Sequence, residues 1–167
     1  MARQSPSTPL AKAFRRCAVP ELKAASLDAA FEEIVDAMVA KKIITPEEKG
    51  DILGGLIKRE KLGTTAIGKG VALPHVRRPD ISEVVGAIGH STPGIDCRAL
   101  DGNLTHTICV LLTPVNPPEI HLDFMTKMVA LASDDFFTKV LNQTKTRQDF
   151  VELFEEKELE IAEEKGG

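Results

Sequence analysis

The chain has 167 residues, 43% of them hydrophobic and 28% charged, with seven Phe and neither Trp nor Tyr. That length suits one globular domain of about 100–200 residues with tails, and no apolar run of about 18 residues is present that would insert directly into a membrane. The formal net charge of −4 gives no basic footprint for nucleic acid, and the missing Trp and Tyr argue against base-stacking platforms and aromatic ligand walls.

The first twenty residues contain Arg3, Lys12, Arg15 and Arg16 and no acid. They show no sustained apolar period and are expected to form a flexible basic tail over residues 1–20. A single domain is expected over residues 21–154. Residues 155–167, with six Glu against two Lys, read as the acidic overrun of a last helix. Cys17, Cys97 and Cys109 are odd in number and show no C-x-x-C spacing, so no disulfide framework is expected and a reducing, cytoplasmic compartment fits.

Within the domain the apolar period switches several times. Phe31, Ile34, Val35 and Met38 recur at helical spacing after Ser26, a suitable N-cap, and predict a first helix over Leu27 to Ile44. Thr45-Pro46-Glu47-Glu48 has the form of a capping box with proline at the first helical position. It opens a second helix carrying Ile52, Leu53, Leu56 and Ile57 and ending before Gly63. Strands are expected at Thr64 to Ile67, Val71 to Leu73, Val84 to Ser91 and Thr105 to Thr113, separated by Gly, Pro and Asp-Gly punctuation. A third helix opens at Asn116-Pro117-Pro118-Glu119 with Leu122, Met125, Met128 and Val129; two shorter ones start near Asp134 and at Thr146. Two helices, several strands and three helices make an α/β layered sandwich the economical fold.

The stretch from Gly63 to His75 packs three glycines, two threonines and a Pro-His pair into thirteen residues. Glycines allow positive φ and close approach of backbone N–H groups to an anion, while Pro74 fixes the chain before an imidazole. The backbone of Thr64, Thr65, Gly68 and Gly70 is therefore the candidate phosphoryl-binding loop. The spacing matches neither a Walker loop nor a dinucleotide fingerprint.

His75 is the candidate nucleophile, because one imidazole nitrogen can accept a phosphoryl group while a hydrogen bond holds the other. Arg59 is the preferred cation, since its planar fork can clamp two phosphoryl oxygens; Lys58 and Lys61 read as complements to a helix C-terminus. His121 lies in the first turn of the third helix with Met125 and Met128 on its face. It reads either as a half-packed helix-face residue or as a second polar group beside the phosphoryl site. His90 and His106, at strand ends without companion residues, read as structural or exposed. No H-x-x-x-H or H-E-x-x-H spacing occurs, so neither a metal nor another cofactor is expected.

Arg59-Glu-Lys-Leu-Gly-Thr-Thr-Ala-Ile-Gly68, followed by Gly70-Val-Ala-Leu-Pro-His75, resembles the fructose/mannitol class of IIA domains of the bacterial phosphoenolpyruvate-dependent sugar phosphotransferase system. Gly94-Ile95, Asp101-Gly102, the strand Ile108 to Leu112 and His121-Leu122 extend the resemblance over Leu22 to Phe154. It implies a mixed sheet flanked by helices. It also implies phosphorylation of His75 on Nε2, with Arg59 and His121 around the phosphoryl group. Cys97, where the family commonly has a large apolar residue, and Arg77-Arg78, where it varies, depart from the pattern outside the core motif. No IIB, HPr-like or membrane segment is seen, so a stand-alone IIA phosphotransferase is expected. It would take a phosphoryl group from an HPr-type phosphocarrier and pass it to a cysteine of a sugar-specific IIB partner. The alternative is a nitrogen-type regulatory IIA protein, whose phosphorylation state controls binding to kinase or transporter partners.

Overall fold

The most apolar run of the chain, Ile108 to Leu112, lies in the strand on which the whole sheet is built. The structure is a computed structural model and describes residues 8–166. The central strand, Thr105–Pro114, pairs antiparallel with Val85–Ile95 on one side. On its other side it pairs in parallel first with Val71–Ala72 and then with His75–Arg78. A strand at Ala18–Val19 runs parallel to Val85–Ile95, and Ala66–Gly68 pairs antiparallel with Val71–Ala72 at the far edge. In chain order these are β1 (Ala18–Val19), β2 (Ala66–Gly68), β3 (Val71–Ala72), β4 (His75–Arg78), β5 (Val85–Ile95) and β6 (Thr105–Pro114). The sheet is mixed.

Alternation along β6 divides the interior in two. Cys109 and Leu111 pack with Phe124, Met128, Phe137, Phe150 and Phe154. Ile108, Val110 and Leu112 pack with Phe31, Ile34, Met38, Ile52 and Leu56. Helices α2 (Leu27–Ala40) and α3 (Lys49–Leu62) supply the second core; α4 (Pro118–Ala132), α5 (Asp135–Gln143) and α6 (Arg147–Gly166) supply the first. A strand buried on both faces must be apolar throughout rather than alternating, which is why Ile108 to Leu112 reads as an unbroken run. The result is the expected single α/β domain with helices on both faces of a mixed sheet.

Local signals placed most helix starts. The Ser26 Oγ accepts the Ala29 N–H at 3.3 Å and opens α2. Thr45 and Glu48 exchange both capping-box bonds, although the turn they open, Pro46–Glu48, is 3₁₀ before α3 begins at Lys49. Asp134 caps α5 through the Phe137 N–H at 2.7 Å. In α4, Met128 is buried and Met125 half-buried, whereas Leu122 and Val129 face solvent at 62% and 44% exposure. Ile120 and Phe124 take the inward positions instead.

The expected N-terminal tail is corrected over residues 8–20; residues 1–7 lie outside the described residues. A short helix α1, Leu10–Phe14, buries Leu10, Ala11, Ala13 and Phe14. The Phe14 ring lies 5.1 Å from that of Phe154, and the Ala11 N–H donates to Glu158. Residues 18 and 19 then add β1 to the sheet. A five-residue helix is too short to show a period, and its partners lie in α6 at the other end of the chain. Among the described residues no helix is long and apolar enough to cross a membrane.

Candidate functional site

Strand β4 begins at His75, and Pro74 leads into it: the Pro74 carbonyl accepts the Leu111 N–H at 2.9 Å, and the Leu73 N–H donates to Thr65 at 3.0 Å. His75 thus sits in the first rung of a parallel ladder, opposite Leu111. Its Nδ1 lies 2.9 Å from the Leu73 carbonyl oxygen. A carbonyl only accepts, so Nδ1 carries the proton and Nε2 keeps a lone pair. Successive strand residues alternate faces, which groups His75 and Arg77 with Leu111 and Thr113 on the α4 side and turns Val76 and Arg78 toward α3. Helix α4 brings His121 to the first group. Its Nδ1 lies 2.8 Å from Thr113 Oγ1, and its ring centroid is 5.7 Å from that of His75.

Burial pushes the His75 imidazolium below its ordinary range; the Leu73 carbonyl opposes this, and the Arg59 and Arg77 charges add to it against Glu60. His121 is pushed down to about 4, first by burial and then by Arg77 and His75. Both rings are therefore neutral at pH 7, which leaves His75 Nε2 nucleophilic. Where Thr113 donates its hydroxyl proton to His121 Nδ1, the His121 proton sits on Nε2, and that ring becomes a donor beside an acceptor.

Arg59, in the last turn of α3, donates from Nη1 to the Gly63 carbonyl at 2.9 Å, and its charge acts on His75. The neighbouring threonines are committed to holding the loop. Thr64 Oγ1 donates to the Cys97 carbonyl at 2.7 Å, and Glu60 accepts both the Thr65 N–H at 3.0 Å and its hydroxyl at 2.7 Å. Thr65 consequently has neither its N–H nor its hydroxyl proton free for an anion, contrary to the expected role in a phosphoryl cradle.

Gly68 and Gly70 also depart from that role. With Lys69 they form the turn between β2 and β3, at φ of 102° and 77°. Val71 pairs with Thr107 and His75 with Leu111, four residues further along β6, a separation of about 13 Å. The glycines serve the turn itself. The Gly70 carbonyl accepts the His106 and Thr107 N–H groups, and a Cβ on Gly70 would lie 2.5 Å from Asn142 Nδ2.

His90 and His106 lie toward this same end. His90 is 2% exposed and its Nε2 donates to the Asn142 carbonyl at 2.7 Å; His106 Nδ1 donates to the Ser91 carbonyl at 2.9 Å. The three cysteines are free and buried, with burial raising each thiol, Cys109 up to about 12. Among the described residues no group of three or more His, Cys, Asp or Glu side chains is placed to hold a metal ion.

Two site residues escape a reading of the loop alone, Arg77 and Thr113. The pair Arg77-Arg78 separates on folding: Arg78 is enclosed by Glu48, Asp51 and Asp80, whereas Arg77 joins the histidines. The available signal was the period of two that starts at His75.

The site is thus a half-buried, neutral imidazole with one nitrogen pinned and the other free, on an edge strand of a mixed sheet and under the charge of two arginines. Residues 15–157 match the family model of the phosphoenolpyruvate-dependent sugar phosphotransferase system, EIIA 2, and the chain belongs to that family. A nitrogen regulatory protein of Bradyrhizobium diazoefficiens is 31% identical over 130 residues, which cover 78% of this chain and 83% of that protein. The crystal structure of nitrogen regulatory protein IIA-Ntr from Neisseria meningitidis superposes with a TM-score of 0.76 at 23% identity, over 88% of this chain and 99% of that one. The mannitol enzyme IIA of Escherichia coli, solved in complex with phosphorylated enzyme IIB, superposes with a TM-score of 0.62 at 18% identity, over 84% and 94%. At such identities these structures bear on the fold, and the fold is the IIA fold.

Proposed function

We propose that the chain is a phosphohistidine carrier with His75 as acceptor and a regulatory output. Nε2 of His75 attacks the phosphorus of a phosphohistidine on an HPr-type carrier. A new N–P bond forms as the donor's N–P bond breaks, and the donor imidazole leaves with the electron pair. His121 and Arg59 flank the transferred group, in which charge stabilisation does most of the work. The observation that carries this reading is the bond from His75 Nδ1 to the Leu73 carbonyl, which leaves Nε2 as the free nitrogen of a neutral ring.

The regulatory output rests on the 31% identity to a nitrogen regulatory protein. Phosphorylation adds about two negative charges at a half-buried edge, enough to change affinity for a kinase or transporter partner in the cytoplasm. The second reading is discharge to a cysteine of a sugar-specific IIB protein, as the pairing of the mannitol enzymes suggests.

Labelled phosphoenolpyruvate and the general carriers test the acceptor. The wild type is expected to gain acid-labile phosphate and His75→Gln none; equal labelling of both overturns the assignment. Prompt loss of that phosphate to a IIB protein would favour sugar transfer over regulation.

A further inference from the structure

We infer that Arg77 is a second phosphoryl-binding guanidinium of this site, facing His75 from β4 while Arg59 faces it from α3. This rests on His75 being the acceptor and adds a residue that a reading of the Gly-rich loop leaves out.

Three geometric facts carry it. Strand alternation puts Arg77 on the same face of β4 as His75, one pleat further on. The ladder places it opposite Thr113, whose Oγ1 lies 2.8 Å from His121 Nδ1, so the guanidinium stands on the His121 side of the site. Finally, one side of its fork is fastened: Nε and Nη2 donate to the Pro114 carbonyl at 3.3 and 3.2 Å, and Nη2 to the Val115 carbonyl at 3.2 Å. Among the described residues Nη1 has no acceptor. A guanidinium held by backbone on one edge and open on the other is pre-organised for an anion, because the side-chain entropy is already spent on the carbonyl bonds.

The anchoring carbonyls belong to the segment that leads from β6 into α4. Arg77 therefore ties the strand bearing His75 to the helix bearing His121, and its charge reaches both rings. Before transfer that charge helps keep both imidazoles neutral. Afterwards it faces a phosphoryl dianion. The same cation thus disfavours protons on the free site and favours phosphate on the loaded one. Arg77 is solvent-exposed despite its three bonds, so a phosphoryl group arriving on another protein can meet it. Arg78 is the internal contrast, with its guanidinium already saturated by Glu48, Asp51 and Asp80.

The test compares wild type, Arg77→Gln and Arg77→Lys in two measurements. In the first, each protein is loaded from phosphorylated carrier, and the equilibrium loading and the half-life of the phosphohistidine are followed. Loss of one charge-assisted bond predicts at least about a tenfold fall in the loading equilibrium for Arg77→Gln. Arg77→Lys should lie between it and wild type, because it keeps the charge without the fork. In the second, NMR titration of the unphosphorylated proteins should show the His75 and His121 midpoints moving upward in Arg77→Gln and staying near wild type in Arg77→Lys, whereas loosened packing, which raises both midpoints by admitting water, would move them in both variants.

Wild-type loading and unmoved midpoints in Arg77→Gln overturn the inference, as does Arg77→Lys falling as far as Arg77→Gln. If the wild type itself takes no phosphate on His75, the acceptor assignment fails instead, so the two failures are distinct.

Discussion

Two pairs of histidines lie toward opposite ends of β6, and they differ less in tautomer than in surroundings. In each pair one ring donates from Nδ1 to a backbone carbonyl: His75 to Leu73, and His106 to Ser91. A pinned ring with a free Nε2 is therefore common to both ends. At the His75 end, Arg59 and Arg77 act on the rings, and His121 supplies a second imidazole at 5.7 Å. At the other end His90 is sealed at 2% exposure, with its Nδ1 3.6 Å from the Glu21 carboxylate. Fixing a tautomer prepares a nucleophile; surplus positive charge and reach are what the proposed phosphate chemistry needs in addition, and they are found at the His75 end.

That contrast can be broken most sharply by exchanging effects between the ends. His121→Ala should slow phosphate loading of His75 by about a hundredfold, the scale of losing one well-placed transition-state donor, whereas His106→Gln should leave it unchanged. Loading rates from phosphorylated carrier decide this, and a comparable loss in His106→Gln would erase the distinction.

The glycine turn offers a second test, since it supports the sheet at the part of β6 away from His75. Gly70→Ala forces a side chain to a φ of 77° and against Asn142, and should cost about 2 kcal/mol in urea unfolding. The folded fraction should still load normally. A stable variant that fails to load would return Gly70 to the phosphoryl site.

The smallest expected effect is on pH dependence. An unperturbed histidine titrates near 6.5 and His121 near 4, so between these values the unfolded chain binds a proton that the folded chain refuses. Stability should be complete above about pH 6.5 and decline as the pH falls toward 4, with His75 acting in the same direction. The site is partly solvated, which screens the effect. Urea midpoints at pH 7.5 and 5 should show the decline, and His121→Asn should make it shallower; an unchanged slope in that variant would remove His121 as a cause.

Much of this was legible locally. Ser26, the Thr45–Glu48 box and Asp134 open their helices through bonds spanning three residues, so the residues that make the signal also make the structure. The same holds for His121, Met125 and Met128, whose helical spacing turned them toward the interior. The elements left out, α1, β1 and β4, have two to five residues each and exist because of distant partners: Phe14 needs Phe154, and β4 needs β6. The Gly63 to His75 stretch misled for a related reason. It read as one cradle, but β3 and β4 pair with successive parts of β6, carrying His75 away from Gly68 and Gly70.

By itself, then, the chain's composition and periodicity determined a single α/β domain, its chief helices, an apolar central strand, and a Pro-locked His75 with Arg59 nearby. Those properties follow from side-chain size, polarity and spacing, which act over one or two turns. Tertiary structure alone decided that Arg77, Thr113 and His121 meet at His75, that Thr65 answers to Glu60, and that Gly68 and Gly70 stand apart. Strand register and helix docking are set by the shared burial of residues far apart in the chain, and no local period encodes which rung of β6 a given side chain will reach.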